Sequence, residues 1–209
     1  MARSAQATQV QLISTAEILF AERGLDGVSL NEITKTAGQK NASALNYHFG
    51  GKKGLLEAIL EKHQPSIDAE RQRMLDKLDS RGEPSLRSLV EILVLPLVEK
   101  LDDPDGGPEY IRVMAQLIGN PAYSFLDQNA QSMNVGGSRL TRAVGRRLAG
   151  LPRPTRRTRT LLVVSLLFHG LSDFVRLREA GRVSNSYRGP LVASLLDGLI
   201  GILASEEPA

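Results

Sequence analysis

Lys40, Asn41, Ser43 and Asn46 place short hydrogen-bonding side chains in one stretch of seven residues. Amides, a hydroxyl and an ammonium in this density suit the donor and acceptor edges of base pairs in a major groove, where Asn pairs bidentately with adenine. Lys52 and Lys53 follow at the predicted start of a helix, where ammonium groups and the positive helix end both attract backbone phosphate. Covalent and metal chemistry find less support. The 209-residue chain has no Cys, which removes disulfides, thiolate catalysis and zinc-thiolate sites. Its three His (48, 63 and 169) have no partner visible in the sequence, and there is no Gly-rich phosphate loop. The expectation is therefore a binding protein, with no enzymatic activity, no cofactor and no metal site.

The elements that must position these groups are helices. Leu12, Ile13, Ala16, Leu19 and Phe20 recur at helical spacing from Gln9 to Arg23, and Gly24 is a natural stop. Ser29 stands three residues before Glu32, the capping-box spacing, which predicts a helix from Leu30 to Thr36, closed by Gly38. A short helix from Asn41 or Ala42 to Tyr47 ends at Gly50-Gly51, and another starts near Lys52 with Leu55, Leu56, Ile59 and Leu60 on its buried stripe. Pro65 either kinks that helix or begins a continuation to Leu78. Three short helices, the second and third joined by a tight turn at Ala37-Gly38, make a helix-turn-helix arrangement. An ordinary three-helix bundle with a solvated polar face fits the same spacing.

Beyond Gly82, amphipathic helices are predicted from Pro84 to Lys100 (bent at Pro96), from Glu109 to Ile118, and from Tyr123 to Ala149 with a break at Gly136-Gly137. A long helix follows from Thr155 to Ala180, and Pro190 opens a last one ending near Ala204. With no strand candidate, the fold class is all-α: an N-terminal helix-turn-helix domain over residues 1–51 and a larger helical domain over 52–209.

Net charge is +3, but its distribution is uneven. Eight Arg (139, 142, 146, 147, 153, 156, 157 and 159) and no acid lie between Arg139 and Arg159, leaving 18 basic against 23 acidic residues elsewhere. That segment reads as a solvated face, a site for an anionic effector such as an acyl-coenzyme A, or an auxiliary DNA contact. The N-terminus lacks a signal-peptide core, and the longest apolar run, Leu161 to Phe168, falls short of the roughly 20 residues of a spanning helix. A cytoplasmic location with no membrane partner is expected.

The stretch Ala16-Glu17-Ile18-Leu19-Phe20-Ala21-Glu22-Arg23-Gly24 resembles the first helix of the tetracycline-repressor (TetR) family. Val28-Ser29-Leu30-Asn31-Glu32-Ile33 with Ala37-Gly38, and above all Leu45-Asn46-Tyr47-His48-Phe49-Gly50-Gly51-Lys52, extend the resemblance over about residues 9 to 60. It implies that Phe49 plugs the small core, that Lys52 meets phosphate through its amide or side chain, and that Tyr47 and His48 touch the DNA backbone. His48 serves equally well as a structural histidine. Ser29 and Thr34 are further phosphate-contact candidates. Two departures stand out. The turn Gly38-Gln39-Lys40-Asn41-Ala42 is one residue longer than the family pattern, and Asn46 replaces the usual tyrosine, where it either reads a base edge or caps the helix.

For the larger domain the resemblance implies a small-molecule effector cavity and homodimerisation through the last two long helices. Tyr110, Met114, Leu117, Phe125, Met133, Phe168 and His169 are the pocket candidates, each also readable as ordinary core. Leu166, Leu171, Leu195 and Leu199 are the interface candidates, each also readable as buried within its own domain. The implied function is a transcriptional repressor that leaves double-stranded operator DNA when the effector binds. A helical small-molecule-binding or scaffold protein without DNA binding is the alternative.

Overall fold

The computed structural model describes residues 2–39, 44–79, 83–118, 120, 122 and 137–205. Among these, every regular element is helical: α1 (Ala2–Arg23), α2 (Leu30–Thr36), α3 (Ala44–Phe49), α4 (Lys52–Asp79), α5 (Leu86–Glu99), α6 (Gly107–Ile118), α7 (Gly137–Arg147), α8 (Arg153–Glu179) and α9 (Arg188–Ala204). Local chemistry explains most of the ends. Gly24 takes φ +85° and its N–H closes on the Phe20 carbonyl at 3.0 Å. Ser29 caps α2 by accepting from the Glu32 N–H at 3.2 Å. The reciprocal half of the predicted capping box is missing, because the Glu32 carboxylate pairs with Arg23 of α1 instead.

Pro65 neither ends nor restarts a helix: α4 runs unbroken to Asp79, and α5 likewise continues through Pro96. Residues 123–136 of the helix expected from Tyr123 lie outside the described residues; its described part is α7. Pro190 sits in the first turn of α9, as a residue without a free N–H can.

One continuous buried cluster runs from Leu12, Ala16 and Phe20 of α1 through Ile59 of α4 and Val113 of α6 to Phe168 of α8 and Leu199 of α9. A smaller cluster (Leu75, Leu89, Ile92, Leu140 and Ala143) closes the far end of α4, α5 and α7. The apolar core thus passes from the helix-turn-helix segment into the larger bundle through the packing of α1 on α6.

That seam also holds polar groups the amphipathic pattern did not reveal. Glu17 of α1 is buried and accepts from Lys62 Nζ and from His63 Nε2, both at 2.7 Å. The His63 ring lies 4.6 Å from that of Tyr110 on α6, and Lys62 also pairs with Asp105 at 2.9 Å. Gln116 of α6 grips the end of α1 with both ends of its amide. Its Oε1 accepts from the Leu25 N–H at 2.8 Å, and its Nε2 donates to the Phe20 carbonyl at 2.9 Å.

Removing Glu17 leaves the buried His63 ring without this partner and leaves Lys62 with Asp105 alone. Glu17→Ala is expected to lower the unfolding free energy by about 3–5 kcal/mol, measured by urea denaturation at neutral pH. Burial opposes the charge on Lys62, but Glu17 and Asp105 outweigh it and raise its pKa. A raised folded-state value means this contribution is complete below the ordinary lysine pKa of about 10.4. It is lost as pH climbs through the folded value, so Lys62→Gln should flatten the alkaline limb of the stability–pH curve, followed by urea denaturation across alkaline pH.

Candidate nucleic-acid interface and effector cavity

The helix-turn-helix is built on a buried apolar base. Ile33 and Ala37 of the second helix and turn, and Leu45 of α3, are buried against α1 and α4. The turn itself needs Gly38, at φ +68°, whose N–H bonds to the Lys35 carbonyl at 3.0 Å. Gln39 continues it, with its own N–H on the Thr34 carbonyl at 3.0 Å and its side-chain amide near the Ala37 carbonyl. Lys40, Asn41 and Ser43 lie outside the described residues.

With Leu45 buried, α3 turns Asn46 and Tyr47 outward; Tyr47 is 85% exposed, and its ring meets that of His48 edge-on at 5.1 Å. The backbone carbonyl of Asn46 accepts from the Gly50 N–H at 2.9 Å, closing α3. Phe49 is half-buried against the core. Ser29 is exposed at the α2 N-terminus, its oxygen already accepting one backbone bond.

Two phosphate-contact expectations need correction. Thr34 is buried, and its hydroxyl donates back to the Leu30 carbonyl at 2.8 Å, so it is not available to DNA. The Lys52 ammonium is turned inward: it donates to the Val28 carbonyl at 3.2 Å and sits 5.6 Å from the centre of the Phe20 ring. It ties α4 to the loop before α2. What remains open to phosphate there is the α4 N-terminus, whose first N–H groups have no acceptor within the helix, and the exposed Lys53 beside it.

Gly54 is a residue the sequence reading passed over. A Cβ there would stand 1.9 Å from the Phe49 carbonyl oxygen, so the close approach of α3 to the first turn of α4 requires glycine. The α4 stripe also runs further than Leu55–Leu60. It continues through His63, Ile67, Arg71 and Leu75, all buried.

Four helices meet around a cavity of about 10 Å³, the room of a single water molecule. Gln64, Ile67 and Arg71 come from α4, Leu97 from α5, Tyr110 and Met114 from α6, and Phe168 from α8. Three expected pocket residues are thus brought together: Tyr110, Met114 and Phe168. Burial raises the Tyr110 pKa, keeping its phenol neutral. Leu117 is buried in the same core away from this cavity, and Phe125 and Met133 lie outside the described residues. His169 is not a pocket residue: it is exposed on the outer side of α8, on a stripe with Leu162, Leu166, Asp173 and Leu177.

The interface residues divide in the same way. Leu166 is 40% exposed, whereas Leu171, Leu195 and Leu199 are buried in the contact of α8 with α9 inside one chain, where a second protomer cannot reach them. Gly170 permits that contact, its missing Cβ lying 3.0 Å from the Leu195 side chain.

The arginine segment does not form one patch. Arg139 pairs with Gln72 and Asp76, Arg147 with the Pro84 carbonyl, and buried Arg159 caps α9 through the Leu203 and Ser205 carbonyls. Arg142 and Arg146 lie on α7, and Arg153, Arg156 and Arg157 in the first turns of α8.

Residues 12–59 match the family described as bacterial regulatory proteins, tetR family, and residues 91–201 match the tetracyclin repressor-like C-terminal domain. The chain belongs to the tetracycline-repressor family. It is 36% identical over 55 residues to a "Probable HTH-type transcriptional regulator YttP" of Bacillus subtilis (strain 168). That match spans 26% of each chain, about a quarter of the relative's length. A TetR-family transcription regulator from Marinobacter aquaeolei VT8 superposes with a TM-score of 0.55 at 18% identity, covering 94% of this chain and 97% of the other. At that identity the likeness concerns the fold alone.

In this TetR-family protein the α3–α4 junction separates residues that hold the helices from residues that face outward. Gly54→Ala should cost about 1–3 kcal/mol through overpacking, and Lys52→Ala about 1–2 kcal/mol through loss of its carbonyl bond and ring contact. Tyr47→Ala and Lys53→Ala should leave the denaturation midpoint unchanged. Urea titration of the four variants checks this division.

Proposed function

We propose that this protein is a DNA-binding transcriptional repressor, acting as a homodimer and released from its operator by a small-molecule effector. Its DNA-binding part is the α1–α3 segment within residues 1–51, and residues 52–209 carry effector binding and dimerisation. The observation that carries the reading is the outward face of α3. Asn46 and the largely exposed Tyr47 project away from a fully buried Leu45, directly before the open N-terminus of α4. Short amides reach base edges, while a phenol, an exposed lysine and helix amides reach phosphate. Family membership supports the same reading. Asn46 and the neighbouring Gln39, Lys40, Asn41 and Ser43 are the base-reading candidates, and Ser29, Tyr47, His48, Lys53 and the Lys52 amide the backbone contacts.

The dimer reading rests on the uncovered apolar surface of the last two helices. By length and composition α8, and α9 taken with the turn before it (Asn185–Ala204), are apolar enough to cross a membrane, with mean hydropathies of 1.5 and 1.3 over their most apolar windows. In α9 Leu195, Leu199 and Leu203 are fully buried, whereas Leu191, Val192, Leu196, Ile200 and Ile202 are only partly covered by the core, so an apolar margin of α9 remains outside the protomer. Leu162 and Leu166 on α8 border that surface. A second copy related by a two-fold axis would cover it and set two α3 helices toward major grooves about 34–36 Å apart, or a multiple of that.

Fluorescence anisotropy with the DNA flanking the protein's own gene, titrated from 50 to 200 mM salt, tests the function. Affinity is expected to fall by roughly 10³-fold or more over that range, and Tyr47→Ala with Lys53→Ala to weaken binding at every salt concentration. Salt-independent binding, or none, removes the regulator reading. Sedimentation velocity at micromolar concentration tests the assembly: wild type should run as a dimer and Leu162→Asp/Leu166→Asp as a folded monomer.

A further inference from the structure

We infer that the effector is an apolar carboxylic acid whose carboxylate is held by Arg71. This rests on the reading of the protein as an effector-controlled regulator and identifies the chemistry of its effector.

The observation is a guanidinium buried with too few partners. Arg71 is 2% exposed, in the interior stripe of α4 between Ile67 and Leu75. One terminal nitrogen donates to the Leu93 carbonyl at 3.1 Å, and the other lies 3.5 Å from Asp68, at the outer limit of a hydrogen bond. Its Nε–H is buried with no acceptor. Desolvation by burial is the main influence on this group and lowers its pKa, with Asp68 opposing. Arginine nonetheless stays charged in proteins, so the site holds a buried cation whose one carboxylate partner, the half-exposed Asp68, stands at 3.5 Å.

Arg71 lines the cavity where α4, α5, α6 and α8 converge. The open Nε–H and a terminal N–H form the side-on fork that accepts the two oxygens of one carboxylate. Around that fork the walls are mostly apolar: Ile67, Leu97, Met114 and Phe168, with the Tyr110 ring beside them and Gln64 the other polar side chain. A polar head paired at one point and a hydrocarbon or aromatic body fits this lining. A phosphate or coenzyme A head would bring more charge than the single guanidinium here neutralises. The cavity now holds about one water, so entry requires the walls to part, and Met114 is the most adaptable side chain among them. Met114 and Tyr110 belong to α6, the helix whose Gln116 grips the end of α1. An acid wedged between α4 and α6 therefore loads the helix that holds the DNA-binding segment.

The test is calorimetric titration of the full-length dimeric protein with octanoate, decanoate and phenylacetate, each beside its primary amide, below micellar concentration. At least one acid should bind at or below the millimolar range and at least about tenfold more tightly than its amide, the value of a charge-assisted hydrogen bond. Arg71→Met should abolish that preference while leaving the helical circular dichroism intact. Arg71→Lys, which keeps the charge without the fork, should weaken it. Equal binding of acids and amides, binding of none of the three acids, or a preference that survives in folded Arg71→Met overturns the proposal. Should both variants fail to fold, the wild-type comparison of acid with amide decides alone. Operator binding is measured separately. Acid binding without DNA release defeats the effector reading and keeps the site, whereas DNA binding with no acid response defeats the site alone.

Discussion

The fold depends on how α1 is held, because α1 is the helix on which both α2 and the larger bundle pack. A purely apolar seam would bury area without specifying register. Here Glu17 meets Lys62 and His63 of α4 inside the seam, and Gln116 of α6 bonds both the Leu25 N–H and the Phe20 carbonyl at the α1 C-terminus. These bonds are directional, so they admit one placement of α1 and penalise slippage with unpaired buried groups. The position of α3 follows, since its buried Leu45 shares the core cluster with α1 residues Leu12, Ala16 and Phe20 and Lys52 fastens the start of α4 to the loop before α2.

The sequence was most legible where the determining partner lies within a turn or two. Ser29 capping α2, Gly24 closing α1 and Pro190 opening α9 are local events, and each stands where the pattern predicts it. The seam was not legible in this way. Glu17 and His63 are 46 residues apart, and an acid in a helix ordinarily signals a solvated face. A weaker signal was present. Glu17 lies four residues after Ile13 and three before Phe20, on the apolar stripe of α1, and Arg71 stands four residues from both Ile67 and Leu75 on that of α4. A charge interrupting a stripe at its own spacing means either a broken helix or a buried partner, and both of these are buried.

Periodicity also identified the apolar helices α8 and α9 without saying which of their faces would meet. Leu195, Leu199 and Leu203 stand four residues apart and are spent on packing within the chain, while Leu162 and Leu166, equally apolar, remain outside. The difference arises from topology: α9 lies against α5 and α8 of its own bundle, and a one-dimensional pattern carries no information about that crossing. Charge was misleading for a related reason. Eight clustered Arg suggested one electrostatic surface, yet Arg139 pairs with α4, Arg147 with the Pro84 carbonyl, and Arg159 ends buried on the carbonyls of α9.

That cap bears on what the exposed apolar side of α9 is for. Arg159 neutralises the negative end of α9, Arg188 at its start pairs with Asp102 and the Val98 carbonyl, and Asp197 midway pairs with Arg87 of α5. The helix is thus pinned to the bundle at both ends and in the middle, with charges that a hydrocarbon environment would penalise. The α9 positions left exposed are small or polar, among them Ala193, Ser194 and Gly201, beside partly covered Leu196 and Ile200, and such a face favours close packing against another ordered helix. A second α9 meets that requirement without any further sequence, which is why a two-fold pairing of copies accounts for this surface better than insertion into a bilayer.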